Sequence, residues 1–302
     1  MHLGGVIEPM PTRRALLIGS VATAAIGLKI RRSQAAAATP RNDALAAIEA
    51  RSGGRLGVAV LDVGSRLFSV HRADERFPMC STHKLLSVGA ILRRVDQGRE
   101  QLDRRIRFAA TDLVAYSPAT KDHAGRDGMT LAQLCEAAIT LSDNTAANLI
   151  LASLGGPQGV TAFARSLGDP VTQLDRIEPM LSEATPGDPR DTTTPLSMLK
   201  DIEALVLGAA LTSASRERLT GWLIGNRTGD TRLRAGLPAS WRCGDKTGTG
   251  HHGTANDVGM LWPAHGAPVI VSAYLTESTA SEPMRDATLA DVARAVVSAA
   301  RL

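Results

Sequence analysis

The sequence predicts an α/β (α+β) fold with an antiparallel five-stranded sheet flanked by helices. Apolar residues alternate with polar ones at residues 56–62 and 65–71, and this pattern returns only after residue 241. Between these regions, residues 84–225 are rich in Leu and Ala at helical spacing. Strands at both ends with helices between them predict one sheet built from both ends of the mature chain, with an all-helical domain inserted into it.

The first elements predict how the mature chain begins. Residues 41–50 have helical spacing, and two strands at residues 56–62 and 65–71 flank a turn at Gly64. A helix and a hairpin are therefore expected before the long helical stretch.

The second strand region follows that stretch. Strand patterns occur at residues 242–245, 256–262 and 268–276, and helical spacing resumes at residues 284–301. The last strand alternates through Val269, Val271, Ala273 and Leu275. Three strands and a closing helix are therefore expected at the carboxyl end.

These patterns predict the domain organisation. We expect an α/β domain formed by residues 39–76 and 226–302, an all-helical domain at residues 77–225, and an active site between the two. Residues 1–38 are assigned separately, as an export signal. The chain has 302 residues, which is enough for two packed domains.

The charge distribution argues against a nucleic-acid partner. The formal net charge is +4, but five of the 34 basic residues and one of the 30 acidic residues precede residue 39. The rest of the chain is therefore neutral overall. Binding to phosphates needs a surplus of cations concentrated on one face.

The N-terminal segment predicts export. The pair Arg13-Arg14 precedes an apolar run at residues 15–28, and small residues follow at 35–38. The run is shorter than the roughly 20 residues that span a bilayer as a helix. This pattern indicates a twin-arginine signal cleaved near Ala38, which would deliver a periplasmic or extracellular protein without stable membrane association. An uncleaved N-terminal anchor is the alternative.

Three short motifs carry the chemistry. They are S-T-H-K at residues 81–84, S-D-N at residues 142–144 and K-T-G at residues 246–248. Each is weak evidence alone, because S-x-x-K can be a helix cap with a surface lysine and S-D-N a plain cap. All three in this order, with a helical span between them, indicate a common site.

The first motif predicts an activated serine. Ser81 and Lys84 are three residues apart at the start of a predicted helix, so their side chains share a face. A partly desolvated lysine with a lowered pKa can take or relay the proton of the serine hydroxyl. His83 lies two residues from Ser81 and is expected to point away around the helix in a structural role.

The other two motifs predict binding groups. The S-D-N motif is expected to form a polar connection between two helices. The K-T-G motif lies at the end of a predicted strand, where Lys246 can hold a carboxylate and Gly248 lets a ligand approach the backbone. No helix follows Gly248 and Gly250, so this glycine pair is no nucleotide-binding loop.

The mature chain resembles the class A serine β-lactamases over its whole length. Beyond the three motifs, which that class shares with penicillin-binding proteins, longer phrases match: D-L-V-A-Y-S-P at 112–118, S-D-N-T-A-A-N-L at 142–149 and P-G-D-P-R-D-T-T-T-P at 186–195. The resemblance implies the fold predicted above and β-lactam ring hydrolysis without a cofactor or metal.

The resemblance assigns roles to the first two motifs. Ser81 is similar to the nucleophile, Lys84 to its proton partner, and Ser142 to the hydroxyl that passes a proton to the leaving β-lactam nitrogen. Asn144 is expected to contact the amide side chain of the substrate. Tyr116 matches the aromatic residue at the rim of the cleft.

It also assigns roles around the third motif. Lys246 and Thr247 are expected to bind the substrate carboxylate beside Gly248. The backbone N–H groups of Ser81 and Thr249 resemble an oxyanion hole.

The resemblance places the deacylating base in a loop. Glu178 is similar to the carboxylate that activates the hydrolytic water, and residues 176–191 are expected to form an Ω-loop closed by an ion pair of their end residues. A cis bond is expected before Pro179, and Asn148 is expected to brace Glu178. Whether Glu178 or Lys84 is the base for acylation is open.

Two departures from the family pattern concern the site. Ser182 stands where an asparagine commonly helps to hold the hydrolytic water. Ala255 stands where many members carry an arginine that supports the substrate carboxylate. Arg232 is expected to substitute for it, with Arg285 as the second choice and a solvated surface arginine as the alternative.

The cysteines are expected to be free thiols. Cys135 matches half of a disulfide found in some members, but its partner position reads Val88. Cys80 adjoins the nucleophile, and the position that would pair with it reads Gly250. Together with Cys243, these cysteines are too few and too scattered for a disulfide framework. His251 and His252 are interpreted as exposed loop residues rather than metal ligands, because no third ligand is suitably spaced.

The sequence thus predicts a monomeric β-lactam hydrolase with small-molecule substrates. Two other functions remain open: a penicillin-binding DD-peptidase, and a non-enzymatic sensor that is acylated only once. Glu178 and its loop discriminate, because peptidases with the same three motifs lack that carboxylate.

Overall fold

The computed structural model describes residues 40–300. The predicted export signal at residues 1–38 lies outside this range. The strands, in chain order, are β1 (Arg55–Asp62), β2 (Phe68–His71), β3 (Phe77–Pro78), β4 (Arg105–Ile106), β5 (Met129–Thr130), β6 (Thr192–Thr193), β7 (Arg242–Gly250), β8 (Thr254–Trp262) and β9 (Val269–Thr276).

Six of the helices that the structure describes lie between the early and the late strands, α1 precedes the first strand, and α8 follows the last one. The helices are α1 (Pro40–Ser52), α2 (His83–Asp96), α3 (Leu131–Thr140), α4 (Asn144–Leu154), α5 (Pro157–Ser166), α6 (Pro195–Val206), α7 (Ser213–Ile224) and α8 (Glu282–Ala300). None of them is both long and apolar enough to cross a membrane.

The main sheet confirms the predicted assembly from both ends of the mature chain. Its five strands lie in the order β2-β1-β9-β8-β7, and the neighbours are antiparallel. β1 pairs along its full length with β9, so that Arg55 lies opposite Thr276. The hairpin β1-β2 is therefore joined to β7-β9 although about 170 residues separate them in sequence.

Side-chain alternation distributes the core over both faces of this sheet. On one face, Ala59 and Tyr274 join the apolar cluster of the helices α2 to α7. On the other face, Val58 and Ala273 pack in a second cluster with α1 and α8. Because the central strands are covered on both faces, they are buried almost throughout.

Three local predictions need correction. The hairpin turn is longer than expected, because the Asp62 carboxylate accepts hydrogen bonds from the backbone of Gly64 and Ser65, and β2 therefore starts only at Phe68. The region predicted as all-helical contains short strands, and β4 pairs there with β5. β7 extends five residues beyond its predicted end at residue 245, because β8 pairs with it as far as Gly250.

Residues 40–300 pack as one compact unit. The proposed division into an α/β domain and an all-helical domain therefore stays a prediction, although the sheet and the helices occupy distinct regions of the sequence.

Candidate active site

A cleft of about 590 Å³ lies between the edge strand β7, the start of α2 and the loop at residues 176–191. Many of the residues singled out in the sequence line it: Ser81, Tyr116, Ser142, Asn144, Glu178, Ser182, Arg232, Thr247 and Thr249. Lys84 and Lys246 are completely buried behind these residues. The predicted residues thus come together from distant parts of the chain.

Ser81 lies in a tight turn that leads into α2. The turn forms a 3-10 helix at Cys80–Thr82, and Cys80 has a φ of 45°. A Cβ atom at Gly248 would lie 2.8 Å from the Met79 carbonyl oxygen, so this glycine allows β7 to pass close to the turn. The sequence suggested that Gly248 makes room for a ligand, whereas the close neighbour is the backbone before the nucleophile.

The Ser81 hydroxyl contacts the loop carboxylate directly. It donates to Glu178 Oε1 at 3.3 Å, and only 8% of the residue is exposed. This contact joins the first sequence motif to a residue 97 positions away. A serine hydroxyl next to a carboxylate can lose its proton to that group as it attacks.

Lys84 connects the first two motifs. Its Nζ donates to the Ser142 carbonyl oxygen at 2.7 Å and to Asn144 Oδ1 at 2.6 Å. The same atom lies 3.4 Å from Glu178 Oε1. Burial lowers the pKa of the Lys84 amine, although the Glu178 charge opposes that change. A lysine with a lowered pKa is suited to proton transfer.

The S-D-N motif links α3 to α4. Asp143 caps α4 by accepting from the Ala146 backbone N–H, and it also accepts from Thr120. The helix begins at Asn144, so this residue belongs to α4 rather than to the predicted connection. The cap fixes the direction of the Ser142 and Asn144 side chains toward Lys84.

Lys246 reaches the site from β7. Its Nζ donates to Ser142 Oγ at 3.0 Å, and Lys84 Nζ lies 3.4 Å from the same oxygen. Burial, and then the neighbouring charge of Lys84, hold the pKa of Lys246 well below its usual value. The Ser142 hydroxyl therefore lies between two amines that can supply or receive a proton.

Glu178 is held by contacts to its backbone and to its carboxylate. Asn148 accepts from the Glu178 N–H at 2.9 Å and donates to the Glu178 carbonyl oxygen at 2.9 Å, which is the predicted brace. Ser182 Oγ donates to Glu178 Oε2 at 3.1 Å. Burial opposes ionisation, but the charge of Lys84 and hydrogen bonding outweigh it and lower the Glu178 pKa to about 2.

The predicted closure of the loop at residues 176–191 is confirmed, and we call this segment the Ω-loop. Arg176 Nε donates to Asp191 Oδ2 at 2.6 Å, and Asp191 Oδ1 also accepts from the Arg176 backbone N–H at 3.0 Å. The bond between Glu178 and Pro179 is cis, as predicted. A buried carboxylate at one end therefore ties the two ends of the loop together.

The prediction that His83 points away from the site is wrong. Its ring is completely buried, and Nε2 lies 3.8 Å from Glu178 Oε1. The helical spacing predicts the direction of His83 relative to Ser81, but it does not predict what His83 contacts. The partner comes from the Ω-loop, which the local sequence around His83 cannot indicate.

Arg232, rather than Arg285, faces the cleft. Arg232 Nη2 donates to Thr249 Oγ1 at 2.8 Å, and its Nε pairs with Asp286 Oδ1 at 2.8 Å. Arg285 Nη1 donates instead to the Ala280 carbonyl oxygen at 2.6 Å. The guanidinium of Arg232 therefore lies next to the strand that carries the K-T-G motif.

Sequence reasoning missed two residues of this site. Asp286, from α8, holds the Arg232 guanidinium, and Thr228 Oγ1 lies 2.5 Å from Thr247 Oγ1. Neither has a local pattern that distinguishes it from a surface residue. The sequence signal for Asp286 is its position one residue after Arg285, the second candidate for binding the substrate carboxylate.

The three cysteines are free and buried in the structure. Burial raises the pKa of the Cys135 and Cys80 thiols, so neither is predisposed to form a reactive thiolate. A Cβ at Gly250 would lie 2.6 Å from Cys80 Sγ, which shows how closely β7 covers this thiol.

Comparison with known proteins identifies similar chains. A family model described as the β-lactamase enzyme family matches residues 40–300. The chain is 47% identical over 252 residues to β-lactamase CTX-M-8 of Citrobacter amalonaticus, which covers 83% of this chain and 86% of that protein. It is 45% identical over 297 residues to β-lactamase AST-1 of Nocardia asteroides, covering 95% and 96% respectively.

Solved structures agree with these matches. An ancestral class A β-lactamase (GNCA) is 61% identical and superposes with a TM-score of 0.85, covering 86% of this chain and 99% of that one. A class A enzyme described as putative, PenP from Rhodopseudomonas palustris, is 60% identical with a TM-score of 0.84. The similarity therefore extends over nearly all of the described residues.

Proposed function

The chain belongs to the class A serine β-lactamase family, and on that premise we propose that it hydrolyses the amide of β-lactam rings through an acyl-enzyme on Ser81. The observation that carries this proposal is the 3.3 Å contact between Ser81 Oγ and Glu178 Oε1, both buried at the base of one cleft. Nucleophile and hydrolytic base thus meet at the position where an acyl group would lie.

In the acylation step, Ser81 Oγ attacks the ring carbonyl carbon and its proton passes to Glu178 or Lys84. The direct contact favours Glu178 as the first acceptor. Lys84, 3.4 Å from the same carboxylate oxygen and 3.4 Å from Ser142 Oγ, can then pass the proton on to Ser142, which leaves Glu178 ionised again. The C–N bond of the ring then breaks. Ser142 Oγ supplies a proton to the leaving nitrogen and is reprotonated from Lys246 or Lys84.

Binding groups for the substrate lie around the nucleophile. Lys246, Thr247 and Arg232 provide the cationic and hydroxyl donors for a substrate carboxylate, and Arg232 replaces the arginine that Ala255 does not supply. Asn144 and the exposed rim residue Tyr116 are placed to contact the amide side chain of the substrate.

In the deacylation step, Glu178 takes a proton from water as the water attacks the ester carbonyl of acylated Ser81. The bond between the acyl carbon and Ser81 Oγ breaks, and Glu178 returns its proton to Ser81 Oγ. A pKa of about 2 keeps Glu178 ionised at neutral pH, so the base is always present. Ser182 holds the second carboxylate oxygen and takes the place of the asparagine common in the family.

The backbone N–H groups of Ser81 and Thr249 are proposed to form the oxyanion hole. Both residues line the cleft, one from the turn before α2 and one from β7. Substrate binding between these two elements would place the ring carbonyl next to the Ser81 hydroxyl.

The decisive experiment follows a chromogenic cephalosporin through many equivalents per enzyme. A hydrolase produces far more product than enzyme present, and Ser81→Ala abolishes product formation altogether. A DD-peptidase or a sensor that is acylated once releases one equivalent and stops, and that result would contradict the proposal. Intact-mass measurement during the reaction shows whether the protein carries a covalent adduct.

We further infer that residues 1–38 direct export through the twin-arginine route and that the mature enzyme acts as a monomer. The support is the sequence pattern of Arg13-Arg14, the apolar run at 15–28 and the small residues at 35–38. Replacement of both arginines by lysine should retain the precursor in the cytoplasm. Export of that variant at the normal level would contradict the assigned route.

A further inference from the structure

His83 occupies an unusual position for a buried imidazole. Its Nδ1 lies 3.1 Å from Ser87 Oγ, one turn along α2. Its Nε2 is buried without a hydrogen-bond partner among the described residues and faces Glu178 Oε1 at 3.8 Å. Buried polar atoms without a partner are rare because they lose hydration without compensation, so this nitrogen requires an explanation.

Electrostatics selects the tautomer of the ring. If the Ser87 hydroxyl donates to the His83 carbonyl oxygen at 3.1 Å, the ring must donate from Nδ1, and the Nε2 lone pair then faces a carboxylate. If the hydroxyl donates to Nδ1 instead, Nε2 carries the proton and points it at Glu178. The second arrangement directs the Nε2–H donor of a neutral ring at the Glu178 carboxylate and is therefore favoured.

Acylation of Ser81 changes which hydrogen-bond donors reach Glu178 Oε1. In the free enzyme this oxygen accepts from the Ser81 hydroxyl at 3.3 Å. Once Ser81 is acylated its Oγ is an ester oxygen without a proton, so Oε1 loses that donor and keeps only the contact with Lys84 Nζ at 3.4 Å. Nε2 of His83 is about 1 Å beyond hydrogen-bonding distance, so a small shift of the carboxylate brings it into reach.

We propose that His83 is a positioning residue for deacylation, whose Nε2–H replaces the Ser81 hydroxyl as donor to Glu178 Oε1 in the acyl-enzyme. Ser182 holds Oε2 at 3.1 Å, so the carboxylate is then fixed at both oxygens while it activates water. The inference rests on the proposed function, because it assigns a role only if Glu178 drives deacylation.

The His83 ring is neutral although two neighbouring carboxylates raise its pKa. Glu178 and Asp191 approach from the Ω-loop, and Lys84 follows on its own helix. Burial is the largest influence and lowers the His83 pKa from its usual value, so the ring is uncharged at neutral pH. It therefore acts as a hydrogen-bond donor and not as a cation.

The test compares three substitutions of His83 with a substrate whose acyl-enzyme accumulates during turnover. His83→Phe removes both ring nitrogens, His83→Asn offers an amide toward Ser87 only, and His83→Gln can extend an amide N–H toward Glu178. We expect kcat to fall about tenfold for Phe and Asn, the loss typical of one hydrogen bond to a charged group. Gln should recover most of that loss.

The kinetic signature separates positioning from general damage. When deacylation limits turnover, its loss lowers kcat and KM together and leaves kcat/KM unchanged. The acidic limb of the kcat profile should also move to higher pH, because a donor that lowers the Glu178 pKa is lost and the carboxylate is protonated earlier. Val88→Ala, a buried substitution in the same helix, should change neither property.

Several results would overturn the inference. They are unchanged kcat in the Phe and Asn variants, a fall in kcat/KM equal to the fall in kcat, or Gln behaving like Asn. If Phe fails to fold, the Asn and Gln pair decides. Glu178→Ala separates failure of the proposed function from failure of the His83 role. Full turnover in that variant contradicts the proposed function. An accumulated adduct in that variant, together with normal turnover in the His83 variants, contradicts only the role of His83.

Discussion

The two walls of the cleft are held by different kinds of structure. The nucleophile wall, which carries Ser81, Lys84, Ser142 and Lys246, is formed by α2, the cap of α4 and the strand β7. Its lysines are completely buried, and its backbone is fixed by helix and sheet hydrogen bonds. The opposite wall is the Ω-loop, whose only regular structure is a 3-10 turn at Met180–Ser182.

The Ω-loop is positioned by a few polar contacts. The pair Arg176–Asp191 closes it, Asn148 holds the Glu178 backbone, and Ser182 contacts the carboxylate. Each contact depends on one side chain that a single substitution can remove. Because these side chains hold Glu178 and do not hold Ser81, substitutions in the loop should separate release of the acyl group from its formation.

The largest separation is expected from Glu178→Ala. Acylation should still produce one covalent adduct per enzyme, because Lys84 can take the Ser81 proton in place of Glu178. Turnover should fall by about 10²–10⁴, the usual contribution of a general base. Intact-mass analysis detects the adduct and steady-state kinetics gives the loss. Glu277→Ala, which removes a carboxylate paired with Arg55 on the surface, is the matched control. Equal turnover in both variants would remove Glu178 from the deacylation step.

Arg176→Ala tests the closure of the loop. Asp191 is buried, so loss of its partner leaves an unpaired charge and should lower the free energy of unfolding by about 3 kcal/mol. Urea unfolding measures this change. Arg190→Ala breaks an exposed pair with Asp188 and should change the free energy of unfolding far less. Similar losses in the two variants would show that the pair at the ends of the loop has no special importance.

The same comparison explains what the sequence could predict. The periodicity of residues 84–225 and the strand patterns at both ends gave the sheet and most of the helices, because regular elements repeat their contacts locally. The end of β7 was predicted five residues early, since Lys246, Gly248 and Gly250 are residue types that are depleted in strands. Pairing with β8 determines where β7 ends, and this pairing depends on residues outside the strand itself.

Some site residues could be predicted from the sequence, whereas others depend on contacts between distant segments. Ser81 and Lys84 could be placed on one helix from their spacing, and resemblance to the family supplied Glu178 and the ion pair of the loop. The contact of His83 with Glu178 could not be predicted, because it joins two segments 95 residues apart through a ring that local spacing directs away from Ser81. Asp286 was missed for the same physical reason.

Arg232→Ala tests a binding group of the nucleophile wall. Loss of a guanidinium that binds a substrate carboxylate should raise KM about tenfold for substrates that carry this group, with less effect on kcat. Arg285→Ala is the matched control, because that side chain contacts the Ala280 carbonyl oxygen instead. If both variants keep the parental KM, the carboxylate is held by Lys246 and Thr247 without Arg232.

The smallest effect is expected from Ser182→Ala, which removes the 3.1 Å hydrogen bond to Glu178 Oε2 and leaves the pair Arg176–Asp191 intact. Loss of one hydrogen bond should lower kcat about fivefold, and KM with it, because only deacylation is affected. Ser182→Asn should keep kcat near the parental value, since an amide can also donate to that oxygen. Steady-state kinetics with a deacylation-limited substrate measures both variants. A fall in kcat/KM in Ser182→Ala would show that the contact also serves acylation, and the two walls could then no longer be assigned to separate steps.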